Sequence, residues 1–251
     1  MSQRLNNPVA TRSGDITPGP GGQPDRRSRD MTWDWAPDLM KARAYDQILL
    51  GIISGDLPPG ERLDEHGLSL RYGVGLAGVR DALGRLALEG LVLRRPRSGT
   101  TVAPLDLKEM NQVFEARRLI EPHCAALAAQ HATAEEVCAI RGAFVGAEQA
   151  IEQRDSLALV AMDQWFHAAV VRASRNPTLA RIAIPLQHKA SRFWVFAMEN
   201  DTAAERLAEI QRHRIVADSI ACRDSEAARK QMLAILGSPP FGTVLEHLRA
   251  S

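Results

Sequence analysis

Residues 57 to 103, LPPGERLDEHGLSLRYGVGLAGVRDALGRLALEGLVLRRPRSGTTVA, constrain the fold more than any other part of the chain. Residues 64 to 72 carry Leu68 and Leu70 and close on Tyr72-Gly73. This is the pattern of a short helix ended by a glycine, which turns the chain with positive φ. Beyond Gly73-Val74-Gly75 the spacing predicts a second helix over about 77 to 89. Val79, Ala82, Leu83 and Leu86 recur there at helical intervals and make one buried stripe. Arg80 lies off that stripe, as do Leu76, Ala77 and Asp81. Gly90 stops the helix. Leu91-Val92-Leu93 and Thr100-Thr101-Val102 are short β-prone runs, joined by the arginine-rich turn Arg94-Arg95-Pro96-Arg97-Ser98-Gly99. Helix, tight turn, helix and small hairpin make a winged helix-turn-helix. Its second helix is sized for a major groove, and its basic tip suits phosphates or the adjacent minor groove. On periodicity alone, a small helical subdomain with a solvated basic loop fits equally well.

The rest of the chain is arranged around this stretch. Its 251 residues suffice for two domains with cores of their own. The net charge is only +1, so the positive charge is local: Arg80, Arg85, Arg94, Arg95 and Arg97 stand against Asp81 and Glu89. A basic patch on a neutral body suits a selective nucleic-acid binder better than a general coat. Residues 1–36 are rich in Pro, Gly, Ser, Arg and Asp and read as a disordered extension. Arg26, Arg27 and Arg29 offer contacts to DNA from it, and Trp33 and Trp35 could pack back on the body. A lead helix is expected over about 38 to 54, with Tyr45, Ile48, Leu49 and Ile52 on its buried face. It completes a DNA-binding domain over 37–103. Cys124, Cys138 and Cys222 show no metal or redox spacing, and no signal peptide is visible, so a cytoplasmic location is expected. No apolar run is long enough to span a membrane.

After the linker Pro104-Leu105-Asp106 the texture is helical throughout. Helices are expected near 106–130, 134–153, 156–174, 178–199, 202–222 and 225–236. They are separated by cap or turn residues at Thr133, Asp155, Asn176-Pro177, Asn200-Asp201 and Asp224-Ser225. This gives an antiparallel bundle over 104–240, with Pro185 inside its fourth helix and a tail or short helix over 241–251. The fold class is therefore mainly α: an N-terminal winged helix-turn-helix followed by an all-helical bundle. Within the bundle Asp163 and His167 are four apart and share a helix face. His213 is in step with Leu207, Ile210, Ala217 and Ile220 and faces inward as well. A carboxylate and two imidazoles that meet in a helical core are ligands for zinc, manganese or nickel. If they do not meet, they are hydrogen-bonded core residues.

PPGERL, the glycine-bounded turn, VRDALGRLALEGLV and the wing ending SGTTV resemble the DNA-binding domain of GntR-family transcription factors, over about residues 41 to 103. LIEPHCAALAA, MDQWFHAAVVRASRNPTL and QRHRIVADSIACRDSEAARKQM resemble the FCD effector domain of the FadR branch of that family, over about 106 to 236. The first resemblance implies DNA contacts at Arg80 and at the wing tip Arg97, Ser98 and Gly99. Leu76 and Ala77 stand where the family has an arginine and a threonine, so apolar contact with thymine methyls is expected there. His66, on the preceding helix, joins the DNA-facing set. The second resemblance implies a metal capped by a small carboxylate. Asp163, His167 and His213 match ligand positions, and Ile235 stands where a fourth histidine is expected, as an apolar wall of the cavity. Arg117 matches a family arginine near that cavity; it pairs either with a ligand carboxylate or in a salt bridge. His188 is a substitute ligand if its register allows. His123, His131 and His247 carry no constellation.

These resemblances imply a ligand-responsive regulator, most simply a repressor. It would bind a palindromic DNA operator as a homodimer and take a small organic acid or related metabolite as effector. The rival readings are a metal-dependent hydrolase in a helical bundle and a scaffold that no longer reads DNA. Against the first, no H-E-x-x-H and no nucleophile–base pair is visible.

Overall fold

The computed structural model describes residues 39–96, 99–197 and 201–237. The expected extension 1–36 with its tryptophans and arginines, the wing-tip residues Arg97 and Ser98, His247 and the expected segment 241–251 lie outside the described residues.

The N-terminal head consists of α1 (Leu39–Ser54), α2 (Glu65–Tyr72), α3 (Leu76–Leu88), β1 (Val92–Arg95) and β2 (Gly99–Val102). Tyr45, Ile48, Leu49 and Ile52 of α1 are buried, as their spacing requires. The Asp64 side chain caps α2 by accepting from the Gly67 N–H, and Gly73 ends it in the left-handed region (φ 61°). Leu68 is buried, but Leu70, counted with it in the sequence, is exposed. The stripe Val79, Ala82, Leu83 and Leu86 is fully buried and sets the face of α3 that packs on α1. Helix α1 passes close enough to α2 that a β-carbon at Gly51 would lie 2.6 Å from the Tyr72 hydroxyl.

The wing is antiparallel, with Val92 opposite Val102 and Arg95 opposite Gly99. Both valines are buried and anchor it. Residues 60–63 run along β2: the Leu63 N–H donates to the Thr100 carbonyl (2.8 Å) and the Val102 N–H to the Glu61 carbonyl (2.9 Å). β2 is thus hydrogen-bonded along both edges, to β1 on one side and to residues 60–63 on the other.

The C-terminal bundle is built from α4 (Leu107–His131), α5 (Ala134–Arg141), α6 (Ala147–Glu152), α7 (Ser156–Ala173), α8 (Pro177–Ala197), α9 (Ala203–Ala221) and α10 (Ser225–Leu236). Side-chain caps start five of them: Asp106, Thr133, Asp155, Thr202 and Asp224. Thr133 and Thr202 form reciprocal capping boxes with Glu136 and Glu205. The single helix expected over 134–153 is two. Gly142 ends the first, and Gly146, at φ 89°, redirects the chain into the second. Pro122 and Pro185 both lie inside helices, α4 and α8. On α9 the inward face holds Ile210, His213, Ala217 and Ile220, whereas Leu207, one turn earlier, is exposed. Head and bundle belong to one compact unit within residues 35–251. Among the described residues no helix is long and apolar enough to cross a membrane.

Candidate functional site

Asp163 and His167 stand one turn apart on α7, and His213 meets them from α9. The two histidines are almost fully buried, and Asp163 is partly exposed. Their donor atoms form a triangle. His213 Nε2 lies 3.2 Å from Asp163 Oδ1, and His167 Nε2 lies 3.5 Å from it. The two Nε2 atoms are 3.3 Å apart. Four ligands at about 2.0–2.1 Å around a tetrahedral zinc would stand about 3.3 Å from one another. The three residues therefore match one face of such a coordination shell.

The other nitrogen of each ring is occupied. His167 Nδ1–H donates to Glu121 Oε2 at 2.6 Å, and His213 Nδ1–H donates to the Glu209 backbone carbonyl at 2.8 Å. Each bond fixes its ring and turns the Nε2 lone pair toward the shared centre, as outer partners of metal-binding histidines do. Phe166 supports both rings edge-on, at 5.4 and 5.1 Å between centroids.

Glu121 is the residue that sequence reasoning missed. It is 1 % exposed on α4, and Arg117, one turn earlier and equally buried, donates to it at 2.5 Å. Two ionisable residues four apart in the apolar run around Cys124 and Ala125 were the available signal. The salt-bridge alternative for Arg117 is the observed one: it braces Glu121 beneath His167 and is not among the side chains that line the cavity. Burial alone would raise the Glu121 carboxyl, but Arg117 and His167 hold it well below the usual carboxylate range. Burial would raise Asp163 too, and the two histidines hold it low. Burial would lower His167, but Glu121 and Asp163 outweigh it and raise the imidazole above its ordinary value. Carboxylates that hold a proton on a buried imidazole are equally suited to hold a cation beside it.

Asp163 and His213 open onto a cavity walled on its apolar side by Phe144, Leu159 and Trp194, with Arg206 and Glu209 on its polar side. Ile235, expected to wall it, is buried in the core with Ala228 and Met232 and is not among the lining residues. His188 does not complete the ligand set. Its Nδ1 lies 3.1 Å from Glu89 and 3.2 Å from the Tyr45 hydroxyl, at the head. His66, His123 and His131 are exposed. All three cysteines are free, with Cys124 buried.

On the head, Arg80 is exposed and its Nε donates to Glu65 of α2 at 2.7 Å. Arg94, one residue pair from the tip end of the wing strands, donates to the Arg80 carbonyl at 3.2 Å, which ties the wing to α3. Leu76 is half-buried at the first position of α3, and Ala77 is exposed. The N-cap Gly75 has no side chain to bond the first-turn amides. Gly99 opens β2 at φ 87°, beside the Arg62 guanidinium.

The sequence profile of bacterial regulatory proteins of the gntR family matches residues 40–102, and that of the FCD domain matches residues 112–238. The chain belongs to the GntR family. It is 31 % identical over 192 residues to a probable D-xylose utilization operon transcriptional repressor of Paenarthrobacter nicotinovorans, covering 74 % of this chain and 81 % of that protein. It is 27 % identical over 207 residues to the uncharacterized HTH-type transcriptional regulator YdhC of Bacillus subtilis, covering 82 % and 89 % of the two chains. Its fold is similar to that of McbR/YncC from E. coli, with a TM-score of 0.72 at 20 % identity over 83 % of this chain and 98 % of that one. As a GntR regulator with an FCD domain, the chain is a ligand-responsive, DNA-binding transcriptional regulator.

Proposed function

We propose that this GntR regulator represses transcription as a homodimer on a palindromic operator, and that a small organic acid bound in the FCD domain changes its affinity for that operator. The head, residues 37–103, reads DNA, and the bundle, residues 104–240, binds the effector and pairs the two copies. Asp163, His167 and His213 hold a divalent ion, zinc in preference to manganese or nickel. The bound ion would supply a Lewis-acidic point for a carboxylate. The observation that carries this reading is the triangle of donor atoms, 3.2, 3.3 and 3.5 Å on its sides, in which each histidine has its other nitrogen occupied.

The cavity favours an acid with an apolar arm. The ion at Asp163 and His213 would take the carboxylate, and Phe144, Leu159 and Trp194 form an apolar wall for the arm. Arg117 supports the site from behind through Glu121. On DNA, Arg80 and Gly99 are exposed and would make contacts, and the arginine and serine between the wing strands, Arg97 and Ser98, are assigned the same role from the sequence. The amides at the start of α3 have no side-chain cap, so they suit phosphate contacts beside the apolar Leu76 and Ala77. His66, exposed on α2, is assigned to the DNA-facing set with them. Two heads on one face of a duplex explain the dimer: a symmetric pair reads a palindrome and gains affinity from two linked contacts.

Fluorescence anisotropy on the DNA upstream of its own coding sequence tests this. The expected result is salt-sensitive, sequence-selective binding by a particle of twice the chain mass. The Kd should shift about 5-fold or more with zinc and a carboxylate from a panel. Binding that no panel member alters would contradict the effector reading.

A further inference from the structure

Helix α8 touches both halves of the molecule through adjacent residues. Gln187 is 2 % exposed, and its side-chain amide donates to the Asp163 backbone carbonyl at 3.2 Å. The next residue, His188, turns the other way. Its Nδ1 lies 3.2 Å from the Tyr45 hydroxyl of α1 and 3.1 Å from Glu89, which ends α3. The Tyr45 hydroxyl itself donates to both Glu89 oxygens, at 2.7 and 2.8 Å. One turn on, the Arg192 guanidinium donates to the Ala103 carbonyl where the head ends. Trp194 of the same helix lines the cavity. Lys189 pairs with Glu109 at 2.6 Å, with its ammonium beside Gly90. Arg85 of α3 lies over the Tyr45 ring, 4.0 Å from its centroid.

We propose that Gln187 and His188 are the coupling residues of this regulator, joining the Asp163 site to the Tyr45–Glu89 pair that seats the DNA-binding head. The proposal rests on the reading that an ion or effector occupies the Asp163 site. Its physical basis is that each contact along the path lies within hydrogen-bonding distance, and that Gln187, His188 and Tyr45 are buried. A hydrogen bond near 3.1 Å is lost when its partners move about 1 Å apart, and a buried polar group so stranded is costly. The Tyr45–Glu89–His188 contact therefore behaves as made or broken, not as a continuous hinge. A shift of α7 against α8 at Asp163 reaches the end of α3 through one peptide bond, that between Gln187 and His188. By reciprocity, seating the head on DNA acts back on the cavity.

Hydrogen–deuterium exchange on the full chain tests this without knowledge of operator or effector. Zinc alone is the probe. In the wild type, zinc should change exchange in α7 and α9, and also by about 5-fold or more in residues 39–54 and 85–92 of the head. Gln187→Ala should keep the response in α7 and α9 and lose that of the head. His188→Gln, at the head contact, should do the same and serves as the second variant if Gln187→Ala is unstable. A head response that persists in both variants overturns the coupling. So does a response of α7 and α9 in the wild type with none in the head. If zinc leaves α7 and α9 unchanged, the metal reading fails by itself. Asp163→Asn against wild type then supplies the perturbation: a change in 39–54 and 85–92 that Gln187→Ala abolishes supports the coupling, and none overturns it.

Discussion

His167 and His213 face each other through their Nε2 atoms, 3.3 Å apart, because the Nδ1 of each ring is already committed to an acceptor. Two neutral imidazoles in that arrangement would oppose two lone pairs, with the Asp163 carboxylate as a third negative pole. Such a centre is favourable only with a cation in it, either a proton on a ring or a metal ion.

Glu121 should matter although it stands behind His167 and outside the Asp163, His167 and His213 triangle. Glu121→Gln replaces a carboxylate that accepts from both His167 and Arg117 with a neutral amide whose single oxygen cannot serve both as an anion, and leaves the Arg117 guanidinium, itself 1 % exposed, without a counter-ion. Zinc affinity, measured by chelator competition, should fall about 10- to 100-fold. Breaking a buried ion pair typically costs about 3–5 kcal/mol, which urea unfolding would read. Unchanged values of both would mean that the pair is not a support for the site.

Arg80 pairs with Glu65 through its Nε, so Glu65 competes with a duplex for the guanidinium. Arg80→Ala should weaken selective binding by about 1–3 kcal/mol if the guanidinium contacts a base. Glu65→Gln should tighten binding by up to about 5-fold, because an exposed pair of this kind holds its partner by at most about 1 kcal/mol. Anisotropy titrations on one duplex compare the two. Weaker binding by Glu65→Gln would show that Glu65 positions Arg80 for DNA instead of competing for it.

Asp46 gives the head a pH dependence. Burial raises its carboxyl to about 6, although Arg85 and His188 pull the other way. The folded value lies above the unfolded one of about 3.9, so the folded state holds the proton more tightly. That contribution to stability is fully present below about pH 4 and is lost as pH rises through about 6. Asp46→Asn should therefore melt higher than wild type at pH 7.5, with the gap closing toward pH 4. A gain of the same size at both pH values would assign the effect to something other than ionisation.

Removal of the metal should lower thermal stability. Zinc at about 100 times its Kd contributes about 2.7 kcal/mol by mass action, which is about 5–10 °C in Tm for a chain of this size. Melts with zinc and with excess chelator should differ by that amount in wild type and coincide in His213→Ala. A chelator effect that survives in His213→Ala would place the ion elsewhere.

Much of this was legible in the residues. Val79, Ala82, Leu83 and Leu86 announce α3 because helix burial depends on local spacing, and all four are buried. Asp163 and His167 could be paired from their spacing and His213 joined by its phase, and the three meet. What was hidden depends on contacts between distant segments. Glu121 becomes a partner of His167 only once α4 packs on α7, 46 residues away in sequence. His188 turns to Tyr45, 143 residues away, and no local pattern tells that face of α8 from the one toward the cavity. The break between α5 and α6 hinged on Gly142 and Gly146, which stand among residues of good helix propensity and were read through. Leu207 carried the right phase and is still exposed, because it lies in the first turns of α9 and the buried face begins at Ile210.

The most direct test of the account is the metal content of the untagged protein by elemental mass spectrometry, beside Asp163→Ala. About one zinc per chain in the wild type, lost in the variant, is the expected result. It would direct the effector search to carboxylates that complete the coordination shell. Wild type and variant alike without metal would contradict the central claim: His167 and His213 would then share a proton in a hydrogen-bonded core, and the cavity would take a purely organic ligand.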